Sequence, residues 1–168
     1  MARTVTMKGN PLELEGPELR AGDRAPEFRL HAKDLSDVTL RDFEGRVLLL
    51  SVVPSLDTGV CAMQTKRFNE EAAKLPDSVR ILTVSCDLPF AQARFCGEND
   101  IAIPTASDHR DVSFGKAYGT LIPSLRIECR ALFVVDPTGT IRHAEYVPEL
   151  TNEPNYDAAL SVVRSLIS

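Results

Sequence analysis

Residues 47–54 read Val-Leu-Leu-Leu-Ser-Val-Val-Pro, and residues 55–61 continue as Ser-Leu-Asp-Thr-Gly-Val-Cys. The residues before Pro54 lack the alternation of apolar and polar side chains seen in half-exposed strands, which predicts a central strand buried on both faces. Residues 58–75 are rich in Ala, Gln, Lys, Arg and Glu and precede Pro76, which predicts a helix. This stretch decides the fold, because a buried strand that passes directly into a helix is typical of an α/β sheet.

The rest of the chain adds strands and helices around this unit. Residues 79–85, which are rich in Val, Ile and Leu, and the apolar run at residues 131–135 predict two more buried strands. A turn with Pro in its second position and Gly in its fourth follows the latter run, so residues 140–144 are expected to return as its antiparallel partner. Helices are expected in three further places: residues 90–96, residues 111–118, and a C-terminal segment with Tyr156, Ala159, Leu160, Val163 and Ile167 at helical spacing.

The N-terminal part favours β structure. Residues 1–16 contain two short apolar stretches around the turn-forming residues 8–11, which predicts a β-hairpin, with a frayed arm as the alternative. Short strands are expected at residues 28–31 and 38–40. We therefore predict an α/β fold: a thioredoxin-like mixed sheet flanked by helices, with an N-terminal β-hairpin extension, in a single domain over residues 1–168.

The composition is that of a soluble globular protein and argues against several functions. Hydrophobic residues make up 43% of the 168 residues and charged residues 26%, which is enough apolar material for a core. The formal net charge of −5 disfavours binding to nucleic acid or to an anionic membrane. No apolar run has the length of a membrane span, and residues 1–6 lack the apolar core of a signal peptide, so a cytoplasmic protein is expected.

Cys61 is the residue with the clearest chemical potential. It falls in the first turn of the helix that follows the buried strand, where unpaired backbone N–H groups and the helix dipole favour a thiolate. Because a free thiol is about 3% ionised at pH 7, full ionisation raises its reactivity by about thirtyfold at most. Further acceleration must come from groups that position the substrate and stabilise the transition state.

Pro54 and Thr58 precede Cys61 and admit two interpretations. The Thr58 hydroxyl, three residues earlier, can face the sulfur across one helical turn and form hydrogen bonds. Pro54 fixes the chain that enters the loop and can shield the site from water. Alternatively, Thr58 caps the helix, Cys61 is a small buried apolar residue, and Pro54 simply ends the strand. The residues alone leave both interpretations open.

Two longer motifs resemble those of a known family. Residues 54–61, PSLDTGVC, match the Pro-x-x-x-Thr-x-x-Cys active-site motif of the peroxiredoxins and resemble the thiol peroxidase branch of that family. Residues 87–96, DLPFAQARFC, resemble the segment that carries the resolving cysteine of that branch. Residues 32–40 and 130–136 are also similar to it. The resemblance runs along nearly the whole chain, and two long motifs in the same order make it specific.

The resemblance implies a mechanism. Cys61 is then the peroxidatic cysteine, whose thiolate attacks a hydroperoxide and becomes a sulfenic acid. Cys96 resolves that acid as a disulfide within the same chain, and thioredoxin reduces the disulfide. Arg130 matches the active-site arginine of the family, whose guanidinium holds the thiolate and polarises the peroxide. Thr58 and Pro54 complete the implied site.

The resemblance also implies a substrate class, an assembly and a reaction without metal, flavin or haem. The branch tends to favour alkyl hydroperoxides over hydrogen peroxide and commonly forms homodimers. Leu56, Phe90 and Ile122 could line an apolar approach to the cysteine, but each is equally suited to the core. These statements come from the family and not from any feature of the composition.

Other interpretations remain for individual cysteines and for the whole chain. Taken alone, Cys96 is better explained as a packing residue and Arg130 as a surface residue in an ion pair. Cys86 and Cys129 are expected to be inert thiols, with an off-pathway disulfide of Cys129 under strong oxidation as the alternative.

Three other functions are weighed against the peroxidase. A zinc site is disfavoured because the chain has no Cys-x-x-Cys and its three histidines are scattered. A dithiol oxidoreductase is disfavoured because Thr58 stands where its first cysteine would be. A non-enzymatic redox sensor or a chaperone-like binding protein could keep the same cysteine pair, and a sensor differs from an enzyme in that it reacts once and does not turn over.

Overall fold

The structure is a computed structural model that describes residues 3–167. A 3-10 helix spans Leu40–Phe43. The strands are β1 Arg3–Met7, β2 Asn10–Leu14, β3 Arg29–His31, β4 Asp37–Thr39, β5 Val47–Val52, β6 Val79–Ser85, β7 Thr105–Ser107, β8 Leu121–Ile122, β9 Ile127–Glu128, β10 Ala131–Val135 and β11 Ile141–Tyr146. The α-helices are α1 Gly59–Ala72, α2 Pro89–Glu98, α3 Ser113–Tyr118 and α4 Tyr156–Ile167.

Seven strands form one mixed sheet in the order β11-β10-β5-β6-β7-β3-β4. The strands β5, β6 and β7 run parallel to one another, and the other neighbours are antiparallel. β10 pairs with β5 on one side and with β11 on the other, as the turn between residues 135 and 140 predicts. The prediction of a mixed sheet of the thioredoxin type is confirmed.

β5 lies at the centre of this sheet, and all six of its residues are buried. Its side chains alternate between two cores, with Leu48 and Leu50 in one apolar cluster and Val47 and Leu49 in the other. A strand with apolar side chains on both faces requires cover on both sides. This is the arrangement that its unbroken apolar run predicts.

Helices cover the two faces of the sheet. Phe68 of α1 and Leu160 of α4 belong to the cluster that contains Val47 and Leu49. On the opposite face, the rings of Phe114 and Tyr118 in α3 stack with their centroids 4.3 Å apart. The sheet is thus flanked by helices on both sides, as expected.

The N-terminal hairpin is present and is tighter than the sequence suggests. β1 and β2 pair in register around Lys8 and Gly9, which both have positive φ angles, of 51° and 84°. Such a two-residue turn matches the twist of the strands it joins, and glycine adopts it without strain. Asn10 and Pro11, predicted as part of the turn, instead begin β2.

The ends of two helices differ from the prediction. α1 ends at Ala72, three residues early, because the next N–H groups bond to carbonyls three residues back as the chain approaches Pro76. Gly97 does not end α2. It lies inside the helix, and Asn99 ends it by donating both its backbone N–H and its side-chain amide to the Phe95 carbonyl.

Three short strands, β7, β8 and β9, were not predicted. They contain two or three residues each, too few for an apolar pattern to be recognised. Among residues 3–167, no helix is long and apolar enough to cross a membrane.

Candidate active site

Cys61 lies in the first turn of α1, where the sequence places it. α1 begins at Gly59 after Thr58, whose backbone is extended, so Cys61 is the third residue of the helix. The first N–H groups of a helix have no acceptor within it, and with the helix dipole they stabilise a nearby anion. The Cys61 side chain is 0% exposed. The sulfur is therefore close to the positive end of α1 and shielded from bulk water.

The loop between β5 and α1 is held by Asp87. One Asp87 oxygen accepts a hydrogen bond from the Ser55 hydroxyl at 2.7 Å, and the other accepts the Leu56 N–H and the Ser85 hydroxyl, each at 2.8 Å. Asp87 follows β6, and the carboxyl ends of the parallel strands β5 and β6 meet at the same edge of the sheet. A carboxylate with three donors therefore fixes the loop that leads to Cys61.

Thr58 and Pro54 bracket this loop. Pro54 is buried just after β5, whereas Thr58 is exposed. The Thr58 hydroxyl donates to the Ser55 carbonyl at 3.0 Å and does not cap α1 with its side chain. Its proton is thus engaged within the loop, and its oxygen lone pairs are left to accept a hydrogen bond from another group.

Arg130 is buried, 2% exposed, and is not a surface ion-pair residue. Its Nε and Nη2 donate to the Leu150 carbonyl at 3.1 and 2.7 Å, and its Nη1 donates to Gln64 Oε1 at 3.0 Å. Gln64 is held in turn, since its Nε2 donates to the Ser51 hydroxyl at 2.8 Å. A guanidinium has five N–H groups, so these contacts orient Arg130 and leave two donors for a ligand.

A cavity of about 340 Å³ brings Pro54, Thr58 and Arg130 together. The hairpin, the first residues of α1 and the segment after β11 form the rest of its wall. The other lining residues are Met7, Lys8, Gly59, Val60, Leu150 and Thr151. Cys61 follows Val60 directly but is buried behind this wall. The cavity thus lies next to the residue that bears the sulfur.

Cys96 lies near the end of α2 and packs with Cys61 in one apolar cluster. The cluster consists of Val53, Leu56, Cys61 and Phe95, with Ala62, Cys96 and Ile101 packed against it. Burial raises the pKa of the Cys96 thiol, in keeping with a place at the negative end of a helix dipole. Cys96 also lines a separate cavity of about 470 Å³. All four cysteines are free thiols.

The three residues considered for an apolar approach to Cys61 do not line the active-site cavity. Leu56 is buried in the cluster with Cys61, and Ile122 is buried in the core of the other face. Phe90 is 63% exposed at the start of α2. The apolar wall of the cavity comes instead from Met7 and Leu150, which are distant in sequence, and from Val60 within the predicted motif.

Cys86 and Cys129 lie outside this site, next to the buried carboxyl group of Glu128. The Cys86 thiol donates to Glu128 Oε1 at 3.6 Å. Burial first, and the nearby Glu128 carboxyl group second, raise the pKa of both thiols. Thiols that are hard to ionise are poor nucleophiles, which agrees with the expectation that both are inert.

Glu128 and Asp108 form a buried acidic pair beside Cys86 that the sequence did not predict. Ligand atoms of the three residues lie within 4.8 Å of one another. Burial first, and then Asp108, raises the pKa of Glu128 well above its usual range. The Asp108 oxygens accept the N–H groups of Phe114 and Gly115 at the start of α3. We assign the pair a structural role, because it is already occupied in holding α3 and β9.

The fold and the site together define a class of protein. A cysteine in the first turn of a helix, a second cysteine in the same apolar cluster and a buried arginine beside a cavity lie on a thioredoxin-like mixed sheet. That combination is typical of a thiol-based oxidoreductase.

Comparison with known proteins narrows this class. The Redoxin family matches residues 20–160. A thiol peroxidase of Bacillus subtilis (strain 168) is 51% identical over 164 residues, which are 97% of this chain and 98% of the relative. The crystal structure of a peroxiredoxin-like protein from Aquifex aeolicus superposes with a TM-score of 0.91 at 45% identity, covering 99% of this chain and 98% of that one. The chain belongs to the redoxin family, in the thiol peroxidase branch of the peroxiredoxins.

Sequence reasoning missed the residues that hold the site in place. Gln64 precedes Arg130 by 66 residues and Leu150 follows it by 20, and no local pattern connects either residue with it. Asp87 lies within one of the two family-like motifs, but its role as the acceptor for the Ser55–Leu56 loop depends on strand order. Knowing that β5 and β6 are parallel neighbours would have indicated Asp87.

Proposed function

We propose that the chain reduces hydroperoxides with Cys61 as the attacking thiolate, Cys96 as the resolving thiol and thioredoxin as the reductant. One observation carries the proposal: Cys61 and Cys96 share an apolar cluster beside a cavity lined by Arg130. Cys61 is at the positive end of one helix and Cys96 near the negative end of another. Membership in the thiol peroxidase branch makes the chain a thiol-dependent peroxidase and supports these roles.

The reaction runs through three sulfur species. The Cys61 thiolate attacks the terminal oxygen of the hydroperoxide, the O–O bond breaks, and the alkoxide leaves as the alcohol after taking up a proton. The Cys96 thiolate then attacks the sulfur of the sulfenic acid, and hydroxide leaves as water with formation of the Cys61–Cys96 disulfide. A dithiol of thioredoxin reopens this disulfide by exchange and is itself oxidised.

Arg130 and Thr58 supply the substrate positioning and the charge stabilisation that the thiolate alone lacks. The two unused N–H groups of Arg130 can hold the peroxide oxygens and stabilise the charge that moves to the leaving oxygen. The free lone pairs of Thr58 can accept a hydrogen bond from the O–H of the hydroperoxide and orient it. Pro54, buried at the base of the cavity wall, limits the access of water to the same space.

The cavity is suited to an alkyl hydroperoxide. Met7, Val60 and Leu150 give it apolar walls, while Arg130 offers donors at one side. Hydrogen peroxide is small enough to use the same site. We further propose that residues 1–168 act as one domain and work as a homodimer in the cytoplasm. The dimer rests on the family resemblance, and the compartment rests on the sequence.

The experiment that tests this function follows the oxidation of each cysteine. Fully reduced protein receives one equivalent of cumene hydroperoxide, free thiols are blocked, and disulfides are mapped by mass spectrometry. The wild type should form a Cys61–Cys96 disulfide within one chain. Cys96→Ser should trap Cys61 as a sulfenic acid, and Cys61→Ser should leave the peroxide unconsumed.

A matched control and a turnover assay complete the test. Cys86→Ser should behave like the wild type, because Cys86 lies outside the cluster. Repeated peroxide consumption with thioredoxin, its reductase and NADPH distinguishes an enzyme from a sensor that reacts once. Consumption of peroxide by Cys61→Ser at the wild-type rate would show that the assigned nucleophile is wrong.

A further inference from the structure

We propose that Glu149 is a positioning residue for this peroxidase site: it fastens the N-terminal hairpin to the segment whose carbonyl orients Arg130. The inference rests on the proposed function, since it gives Arg130 a role in the reaction. Glu149 does not itself line the cavity. Lys8 and Thr151, which both donate hydrogen bonds to its carboxylate, do line it.

Glu149 accepts hydrogen bonds from two parts of the chain that are distant in sequence. Its carboxylate accepts five of them, from Thr6 Oγ1 at 2.8 Å, Lys8 N–H at 3.1 Å, Gly9 N–H at 3.0 Å, Thr151 N–H at 2.9 Å and Thr151 Oγ1 at 2.7 Å. These bonds, the backbone N–H groups of Thr151 and Gly9 first, lower the pKa of Glu149. The carboxylate is therefore charged at neutral pH and joins the hairpin turn to the chain after β11.

Backbone hydrogen bonds continue the same junction. The Thr6 N–H donates to the Pro148 carbonyl at 2.7 Å, and the Leu150 N–H donates to the Thr6 carbonyl at 2.8 Å. β1 thus extends alongside residues 148–150. Displacement of the hairpin would carry Leu150 with it or break these bonds.

Leu150 connects this junction to Arg130. Its carbonyl accepts both Nε and Nη2 of the guanidinium, while Gln64 holds Nη1. The plane of the guanidinium, and with it the direction of the two unused N–H groups, depends on where that carbonyl lies. Loss of the Glu149 carboxylate should let the hairpin and residues 148–151 shift, and misplacement of a catalytic donor by about 1 Å can cost about a hundredfold in rate.

The hairpin also closes the cavity. Met7 and Lys8 form one side of it, and Leu150 and Thr151 form another. The Glu149 carboxylate bonds directly to Lys8 and Thr151 between these two walls. Its removal should therefore open the cavity as well as release Arg130.

The test measures the second-order rate constant for oxidation of Cys61 by hydrogen peroxide and by cumene hydroperoxide. Glu149→Ala should lower both constants by about 10- to 100-fold. Glu149→Gln, which keeps the shape and one acceptor oxygen, should fall in between and guards against a variant that fails to fold. Glu145→Ala is the matched control: Glu145 also accepts a loop N–H, from Asn155, but does not contact the hairpin in the described residues.

A double-mutant cycle decides whether Glu149 acts through Arg130. In an Arg130→Ala background, Glu149→Ala should change the hydrogen peroxide rate constant less than twofold. Hydrogen exchange at the Thr6 and Leu150 N–H groups should accelerate in Glu149→Ala. The inference would be overturned if Glu149→Ala lowered the rate constant by the same factor with and without Arg130. A wild-type rate constant in Glu149→Ala would also overturn it. If the inference about Glu149 fails while Cys61→Ser is inactive in the same assay, the proposed function still stands.

Discussion

At the scale of single residues, Arg130 is a charged side chain that is buried and still has N–H donors for a ligand. Burial of a guanidinium is costly unless its N–H groups find acceptors. Here a backbone carbonyl and the neutral Gln64 side chain serve as acceptors, and no carboxylate among them neutralises the charge. The positive charge therefore remains effective toward an anion such as a thiolate or a leaving oxygen.

Glu128 leads to a prediction about stability and pH. Its pKa in the folded protein is raised well above the usual value of 4.5, so the folded state holds this proton more tightly than the unfolded state. The stabilisation of the folded state by this proton is complete below pH 4.5 and is lost as the pH rises through the raised pKa. Glu128→Gln removes this loss, so its free energy of unfolding should rise relative to that of the wild type from acid to alkaline pH.

Urea denaturation near pH 5 and near pH 8 measures this difference. Glu13→Gln, at an exposed position of β2, serves as the control and should show the same difference from the wild type at both pH values. A constant difference between Glu128→Gln and the wild type would mean that Glu128 does not hold a proton in the folded protein.

The residues that the sequence identified and those that it missed differ in the range of their contacts. Pro54, Thr58 and Cys61 lie in one strand–helix junction, so their proximity follows from local structure. Arg130 and Cys96 were recognised only through the family resemblance, because long-range packing brings them to the site. Taken alone, both residues favoured another interpretation.

At the scale of elements, the loop between β5 and α1 depends on an acceptor from the neighbouring strand. Asp87→Ala leaves the Ser55 hydroxyl and the Leu56 N–H without their partner. The loss of charge-assisted hydrogen bonds from a partly buried carboxylate should lower the free energy of unfolding by about 2–3 kcal/mol. Because the same loop leads into α1, the oxidation of Cys61 by peroxide should also slow.

Chemical denaturation and a stopped-flow assay of peroxide consumption test Asp87→Ala. Asp77→Ala is the matched control, since Asp77 is exposed and lies 4.0 Å from Arg80 in a surface pair. That substitution should change stability by no more than about 0.5 kcal/mol. Equal stability of the two variants would show that the loop keeps its shape without Asp87.

Strong, long patterns predicted elements well, and short or context-dependent ones did not. β5, β6 and β10 are rich in Val and Leu, and α4 has regular helical spacing, so each is found close to its predicted bounds. The strands β7, β8 and β9 exist because neighbouring strands or each other supply hydrogen bonds. Pairing of that kind is a tertiary property that a segment of two or three residues does not encode.

At the scale of the whole molecule, the two cysteines proposed for the reaction lie on separate helices and belong to one apolar cluster. A disulfide needs Cα atoms about 4.4–6.8 Å apart and a defined direction of both Cβ atoms. Because each cysteine is held within its own helix, we predict that formation of the Cys61–Cys96 bond involves local unwinding of α1, α2 or both. α2 is the shorter of these helices and carries Cys96 near its end, so less of the core is disturbed when it opens.

Hydrogen exchange can locate this rearrangement. Oxidation by one equivalent of hydroperoxide should accelerate exchange of the N–H groups in Pro89–Glu98 and in the first turn of α1, while β5 and β10 at the sheet centre keep their protection. Cys96→Ser, oxidised in the same way, should keep the exchange pattern of the reduced protein, because no disulfide draws the helices together. If the oxidised wild type keeps full protection in α2, the disulfide forms within the folded helices and the cluster around Val53 and Phe95 already holds the two sulfurs close enough to react.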